Sequence, residues 1–551
     1  TDSGDPLEVG TGLDVDALGE PTSGNFRVKM GVAPNWMQKV LLGLEDAYGV
    51  LDMPLEEVQE QSQALLQEMG ISAASPESMP NRAIFCNRAL NLRSIKAIGY
   101  DMDYTLIHYN VNEWEGLSFE YGLDYLRSIG CPVEGLKFKP ELAIRGLILD
   151  KKLGNLVKVD RFGFVKRAMH GTRMLNPREM YKAYGRELVK YADTSRWKFI
   201  NTLFSISEAV LFSQLVDRLD SGYLPEYVVG RSYMALYDLV AKAQTSTIVE
   251  GKLKQEILKD PERFVELDPE TPATLLDQRN AGKQLVLITN SDFQYTEAMM
   301  QYAFNRFLPA GMTWRDLFSM VIVQANKPAF FEVAQAMYEI VTDDGLMQPV
   351  ADAAVGGIFC GGTAAAVQDA LGVVGSDMLY VGDHIYTDAA LAKTNLSWRT
   401  ALIIRELEEE VAALSVGRPH RAKMKELLEK KELLGQVFNA VRTQRQRKVA
   451  SEASLGEVSE LLSDEARVNE ALGQLVLHLE ALDSTIAPMI ETDGAHFNER
   501  WGFLSRAGVN DKSLLSNQIE KHADIYTSRV SNFFRSTPYS YFRSPMQTLA
   551  H

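Results

Sequence analysis

Apolar runs that stop abruptly in polar residues recur along this chain: SIKAIGY (94–100), QLVLITNSD (284–292), LFSMVIVQANK (317–327), SDMLYVGDH (376–384) and SWRTALII (397–404). Runs this short and this continuously apolar read as strands buried on both faces, the habit of a parallel sheet. Helical patterns lie between them, at 296–306 and 329–340, so the order is βαβ and right-handed crossovers predict one parallel sheet. Ligands of such sheets sit beyond the carboxyl ends of the strands, where the polar residues are found here.

The remaining pattern divides the chain. Residues 1–25 carry no hydrophobic periodicity and read as a surface arm, and 35–69 reads as helical; together, 1–86 form an N-terminal segment. The core occupies 87–109 and 279–420. The intervening 110–278 is far longer than one crossover helix and predicts an inserted α+β cap. Its early part, RGLILD (145–150), LGNLVKVD (153–160) and FVKRAMHG (164–171), alternates like a small antiparallel sheet turned at Gly154 and Gly163, and 176–278 reads mostly helical. Leucine-rich amphipathic stretches over 421–482 predict a helical hairpin whose joint, RTQRQRKVASEAS (442–454), is basic. The tail 483–551 is rich in aromatics, including Trp501, Phe503, Phe533 and Tyr541, and is expected to pack on the core or at an interface.

Composition narrows the picture. With 551 residues, 46% hydrophobic and 24% charged, the chain can bury a large core, and its net charge of −16 argues against broad nucleic-acid binding. Its three cysteines, Cys86, Cys131 and Cys360, encode neither a disulfide framework nor a Cys-rich metal site, which fits a reducing compartment. No apolar run approaches the ~20 residues of a membrane span, so a soluble protein is expected. A start at Thr1 fits either a trimmed chain or a processed one, leaving cytoplasm, plastid stroma and mitochondrial matrix open.

Four polar signals follow in order, each at a predicted strand end: DMDYT at 101–105, Thr289 in ITNSD, Lys327 in ANKP, and GDHIYTD at 382–388. Together they supply what phosphoryl transfer from a monoester requires: an in-line nucleophile, positive charge for the equatorial oxygens, and a proton for the leaving oxygen. Asp101 is the candidate nucleophile, passing through an acyl phosphate. Asp103, two residues on, is the candidate acid and base. Asp383, with Asp101 and a backbone carbonyl at Asp103, makes an oxygen-rich Mg2+ site, and Asp388 steadies Asp383 or a metal-bound water. Thr289 and Asn290 offer polar groups to the phosphate, and Lys327 offers a point charge to the phosphate and the intermediate. Asn155 and His170, in the cap sheet, read as satisfied structural polar residues.

This ordered set resembles the haloacid dehalogenase superfamily and, more narrowly, the cytosolic purine 5'-nucleotidase and 5'-nucleotidase domain-containing family. The likeness runs from about residue 87 to the C-terminus through GYDMDYTLIHYN, RGLILDKKLGNLVKVDRFG, NTLFSISEA, LITNSDFQYTEAMM, ANKPAFF, YVGDHIYTD, SWRTALIIREL and HADIYTSRVSNFF. It implies a Rossmann-like core with an inserted cap, Mg2+ dependence, hydrolysis of nucleoside 5'-monophosphates and a tendency to oligomerise. One stretch departs from the family pattern: before Gly251, where the purine enzyme has charged and aromatic residues that help hold the nucleotide, this chain reads LYDLVAKAQTSTIVE. A purine preference therefore does not carry over. The expected function is a Mg2+-dependent phosphomonoesterase acting on a nucleoside monophosphate or other small phosphate ester. The alternatives are a scaffold subunit that assembles through 421–482 and the tail, or a nucleoside phosphotransferase built on the same residues.

Overall fold

A computed structural model describes residues 54–68, 80–225, 228, 230–244, 247–450 and 465–545. The expected N-terminal arm, the first part of the 35–69 helix and the end of the basic joint lie outside the described residues. The chain forms two units, Thr1–Ser75 and Pro76–His551. Of the first, the helix Leu55–Glu68 is described.

The second unit is built on a mixed α/β sheet of ten strands. In spatial order they are Phe85–Cys86, Ile525–Thr527, Arg399–Ile403, Met378–Gly382, Ala97–Tyr100, Gln284–Ile288, Met320–Val323, Ile358–Gly361, Met337–Ile340 and Met347–Val350. From Ile525–Thr527 through Ile358–Gly361 every neighbouring pair is parallel. The middle strands are buried throughout, which is why they lack the alternation of a half-exposed strand. Ala97–Tyr100 lies at the centre, between Met378–Gly382 and Gln284–Ile288, so three of the four polar signals leave the sheet side by side.

Two features differ from the sequence-based expectation. Residues 329–340 are not one helix: the helix Ala329–Glu332 stops after one turn, and Met337–Ile340 pairs antiparallel with both Met347–Val350 and Ile358–Gly361. A turn with Gly345 at φ +90° closes that hairpin, and the sheet edge satisfies its backbone groups better than a lone short helix would. Second, the tail contributes Ile525–Thr527 as a strand of the main sheet, beside Arg399–Ile403.

The insertion opens with the helix Val111–Ser128, whose first amides are capped by the Asn110 side chain. It then forms a separate antiparallel sheet ordered Arg173–Met174, Val165–His170, Asn155–Val159, Ile148–Asp150 and Trp197–Phe199, with Gly154 and Gly163 at positive φ in its turns. Helices Ile206–Asp220 and Tyr233–Gln244 pack on Val111–Ser128. The C-terminal segment binds this cap closely: the buried Lys158 ammonium donates to the Trp501 and Phe503 carbonyls, and Arg167 donates to the Arg500 and Glu491 carbonyls. Helices Arg418–Ala450 and Glu465–Thr492 lie against each other as a hairpin. Among the described residues no helix is long and apolar enough to cross a membrane.

Candidate active site

Asp101 follows the last residue of the central strand, its amide bonded to the Val381 carbonyl at 2.9 Å. The chain then turns tightly: the amides of Thr105, Leu106 and Ile107 all reach the Met102 carbonyl, and Tyr104 takes φ +56°. Asp101 and Asp103 consequently leave the same turn with different surroundings.

Lys327 comes from the loop after Met320–Val323. Its Nζ lies 2.8 Å from Asp101 Oδ1, 3.1 Å from Asp388 Oδ1 and 3.1 Å from the Tyr380 hydroxyl. Burial opposes a charge on Lys327, but the carboxylates of Asp101 and Asp388 outweigh it and hold the ammonium protonated. Its backbone is gripped by Asn290, whose Oδ1 accepts from the Lys327 amide (2.7 Å) and whose Nδ2 donates to the Lys327 carbonyl (3.1 Å). The Asn290 side chain thus holds the lysine loop in place. Tyr380 reaches Lys327 because position 99 is glycine: a Cβ there would stand 2.7 Å from the Tyr380 ring.

Asp383 and Asp388 follow Met378–Gly382. The Asp388 carboxylate folds back over Gly382, where a Cβ would come within 2.4 Å of its Oδ2. That oxygen accepts from the His384 amide at 3.1 Å. The ligand atoms of Asp101, Asp383 and Asp388 all lie within 4.8 Å of one another. Asp388, expected to support the metal site from behind, stands in this cluster itself. The Asp103 carboxylate does not: Tyr109 donates to Oδ1 at 2.5 Å and Ser291 to Oδ2 at 2.7 Å.

Three buried carboxylates against one ammonium are short of positive charge. Burial, followed by the repulsion of Asp388 and Asp101, pushes the Asp383 carboxyl well above the usual range, and burial pushes Asp101 up to about 7 against the pull of Lys327. Asp383 Oδ2 is buried with no hydrogen-bond partner. An orphaned oxygen in a cluster of hard oxygen donors fits a divalent cation such as Mg2+.

Thr289 is fully buried at the strand end, its hydroxyl accepting from the Ser291 amide at 3.0 Å. Asn155 and His170 stand in the cap sheet, bonded to each other at 2.6 Å, with Asn155 also on the Tyr184 hydroxyl and His170 on Asp220. Sequence reasoning missed Arg145, a buried cap residue that donates to the Asp383 carbonyl at 3.2 Å and pairs with Glu406 at 2.6 Å. Its one signal is a lone charge beside a run of buried apolar residues. Ser291 and Tyr109 were also missed, although both lie inside the quoted motifs.

The model of the 5' nucleotidase family matches residues 84–551. The chain belongs to that family. A 5'-nucleotidase domain-containing protein of Dictyostelium discoideum is 25% identical over 499 residues, covering 88% of this chain and 77% of its own. Human 5'-nucleotidase domain-containing protein 2 is 31% identical over 352 residues, covering 60% of this chain and 65% of its own. Family membership places the chain among the hydrolases of phosphate monoesters.

Proposed function

We propose that this protein is a Mg2+-dependent, 5'-nucleotidase-like phosphomonoesterase that works through a covalent acyl phosphate on Asp101. The observation that carries the reading is the meeting of Lys327 with Asp101 and Asp388 at the centre of the sheet, next to a separately held Asp103. In this reading Asp101 attacks phosphorus in line while Asp103 gives a proton to the departing oxygen. Asp103 then takes a proton from the water that attacks phosphorus and frees Asp101. Lys327 neutralises both the transferring group and the intermediate, and Thr289 faces the phosphate oxygens. Asp101, Asp383 and Asp388, with the Asp103 carbonyl, would hold the Mg2+, which when bound offsets negative charge on the phosphate. Asn290 acts by placing Lys327.

The substrate is a nucleoside monophosphate or another small phosphate ester. The outward Leu433 and Leu477 of the hairpin, 61% and 59% exposed, are where the chain would meet a second copy or a larger assembly. Phosphate release from a panel of nucleoside monophosphates and small esters, with and without Mg2+, tests the enzyme reading against Asp101→Asn. Mg2+-dependent turnover lost in the variant supports it, and no turnover on any ester would move the assignment to a scaffold.

A further inference from the structure

The chain leaves the core for the cap and returns to the core along one ribbon. His108–Tyr109, on the way out, pairs antiparallel with Val265–Glu266, on the way back, with Tyr109 opposite Val265. The Asn110 amide extends the pairing to the Phe264 carbonyl at 2.8 Å. From this ribbon the Tyr109 hydroxyl reaches into the site and bonds Asp103 Oδ1, while Ser291, at the end of a core strand, bonds Oδ2. The Tyr295 hydroxyl stands 3.0 Å from that of Tyr109, and both rings are buried. Tyr104 and Trp114 pack against the Tyr109 ring, with centroids 5.4 and 4.4 Å away, so the hydroxyl has little room to move.

We propose that Tyr109, braced by Tyr295, is a positioning residue that aims the Asp103 carboxylate at the leaving-group oxygen, and that the cap's own linkers thereby set the aim. This rests on the reading of Asp103 as the group that handles the leaving-group proton. A short carboxylate side chain held at one oxygen can still pivot about that bond; a second donor from a different element removes the pivot. Ser291 fixes one oxygen to the core and Tyr109 fixes the other to the ribbon. A displacement of about 1 Å at such a group can cost on the order of 100-fold in rate. The effect falls mainly on esters whose leaving oxygen needs a proton: an alkoxide leaves poorly without one, whereas p-nitrophenolate leaves readily unaided.

Tyr109→Phe keeps the ring and its packing and removes only the hydroxyl. The experiment measures single-turnover release of the leaving group, which reports the first chemical step, from a nucleoside 5'-monophosphate and from p-nitrophenyl phosphate, together with KM. Asp103→Asn is the reference and Tyr295→Phe the milder variant. Tyr109→Phe is expected to slow release from the alkyl ester about 10-fold and from the aryl ester less than about 2-fold, with KM unchanged, and Tyr295→Phe to slow the alkyl ester about 3-fold. If Asp103→Asn separates the two esters and Tyr109→Phe does not, the proposal is overturned while the reading of Asp103 stands. If Asp103→Asn treats the esters alike, that reading fails and the proposal falls with it.

Discussion

Asp383 and Asp103 both neighbour Asp101 and differ in one respect that explains much of the site. Asp383 keeps a buried oxygen without a donor among other carboxylates. Asp103 has both oxygens occupied by hydroxyl donors from two different elements. The first is a set of ligands short of positive charge, stabilised when a cation supplies it. The second is complete in the protein alone, as preorganisation of a proton carrier requires. Two acids that follow neighbouring strands thus serve two electrostatic tasks because different groups close around each.

Removing the charge deficit should break the contrast most strongly. Asp383→Asn is expected to weaken Mg2+ by roughly 100-fold or more, read as the loss of Mg2+-dependent thermal stabilisation as well as of turnover. The metal-free variant should melt higher than the metal-free wild type, because one of three crowded carboxylates has become neutral. In the wild type, Mg2+ should raise the melting temperature more at pH 8 than at pH 5, since the ligands must lose their protons to bind it. A smaller effect is expected from Asn290→Ala, which frees the Lys327 backbone: kcat should fall about 10-fold, while the Mg2+ titration of thermal stability stays where it was.

The smallest effect sharpens the comparison from outside the site. Glu115, in the cap helix Val111–Ser128, is buried like Asp383, but its Oε2 accepts from the Ser207 amide at 2.8 Å. Burial pushes its carboxyl from 4.5 up to about 7, with the Ser207 bond pulling the other way. A folded value above the unfolded one means that its contribution to stability is fully present below about 4.5 and is lost as pH rises through about 7. Glu115→Gln should flatten the fall of stability across that window and leave the Mg2+ response unchanged.

The sheet strands could be read from sequence because burial on both faces leaves continuous apolar runs, and the catalytic candidates because each interrupts such a run at its end. The 329–340 segment could not: Met337–Ile340 becomes a strand only because Ile358–Gly361 offers it an edge, and that is decided by tertiary contact. Asn290 illustrates a different limit. Its place in ITNSD marks it as part of the site, but whether its amide faces a phosphate or the Lys327 backbone depends on a loop 37 residues further along the chain. Arg145 escaped for the same reason, since its partner Asp383 meets it only through the packing of cap and core, whereas Tyr109 lies six residues from Asp103 and meets it through the local turn.

The central claim is a phosphoryl group carried on Asp101, and the most direct test is to trap it. Enzyme mixed with a 32P-labelled phosphate ester and Mg2+ is quenched in acid within one turnover, digested and mapped. Acid-stable, hydroxylamine-labile label is expected on the peptide containing Asp101, and none in Asp101→Asn. Turnover without label on that peptide, or label that persists in the variant, would contradict it.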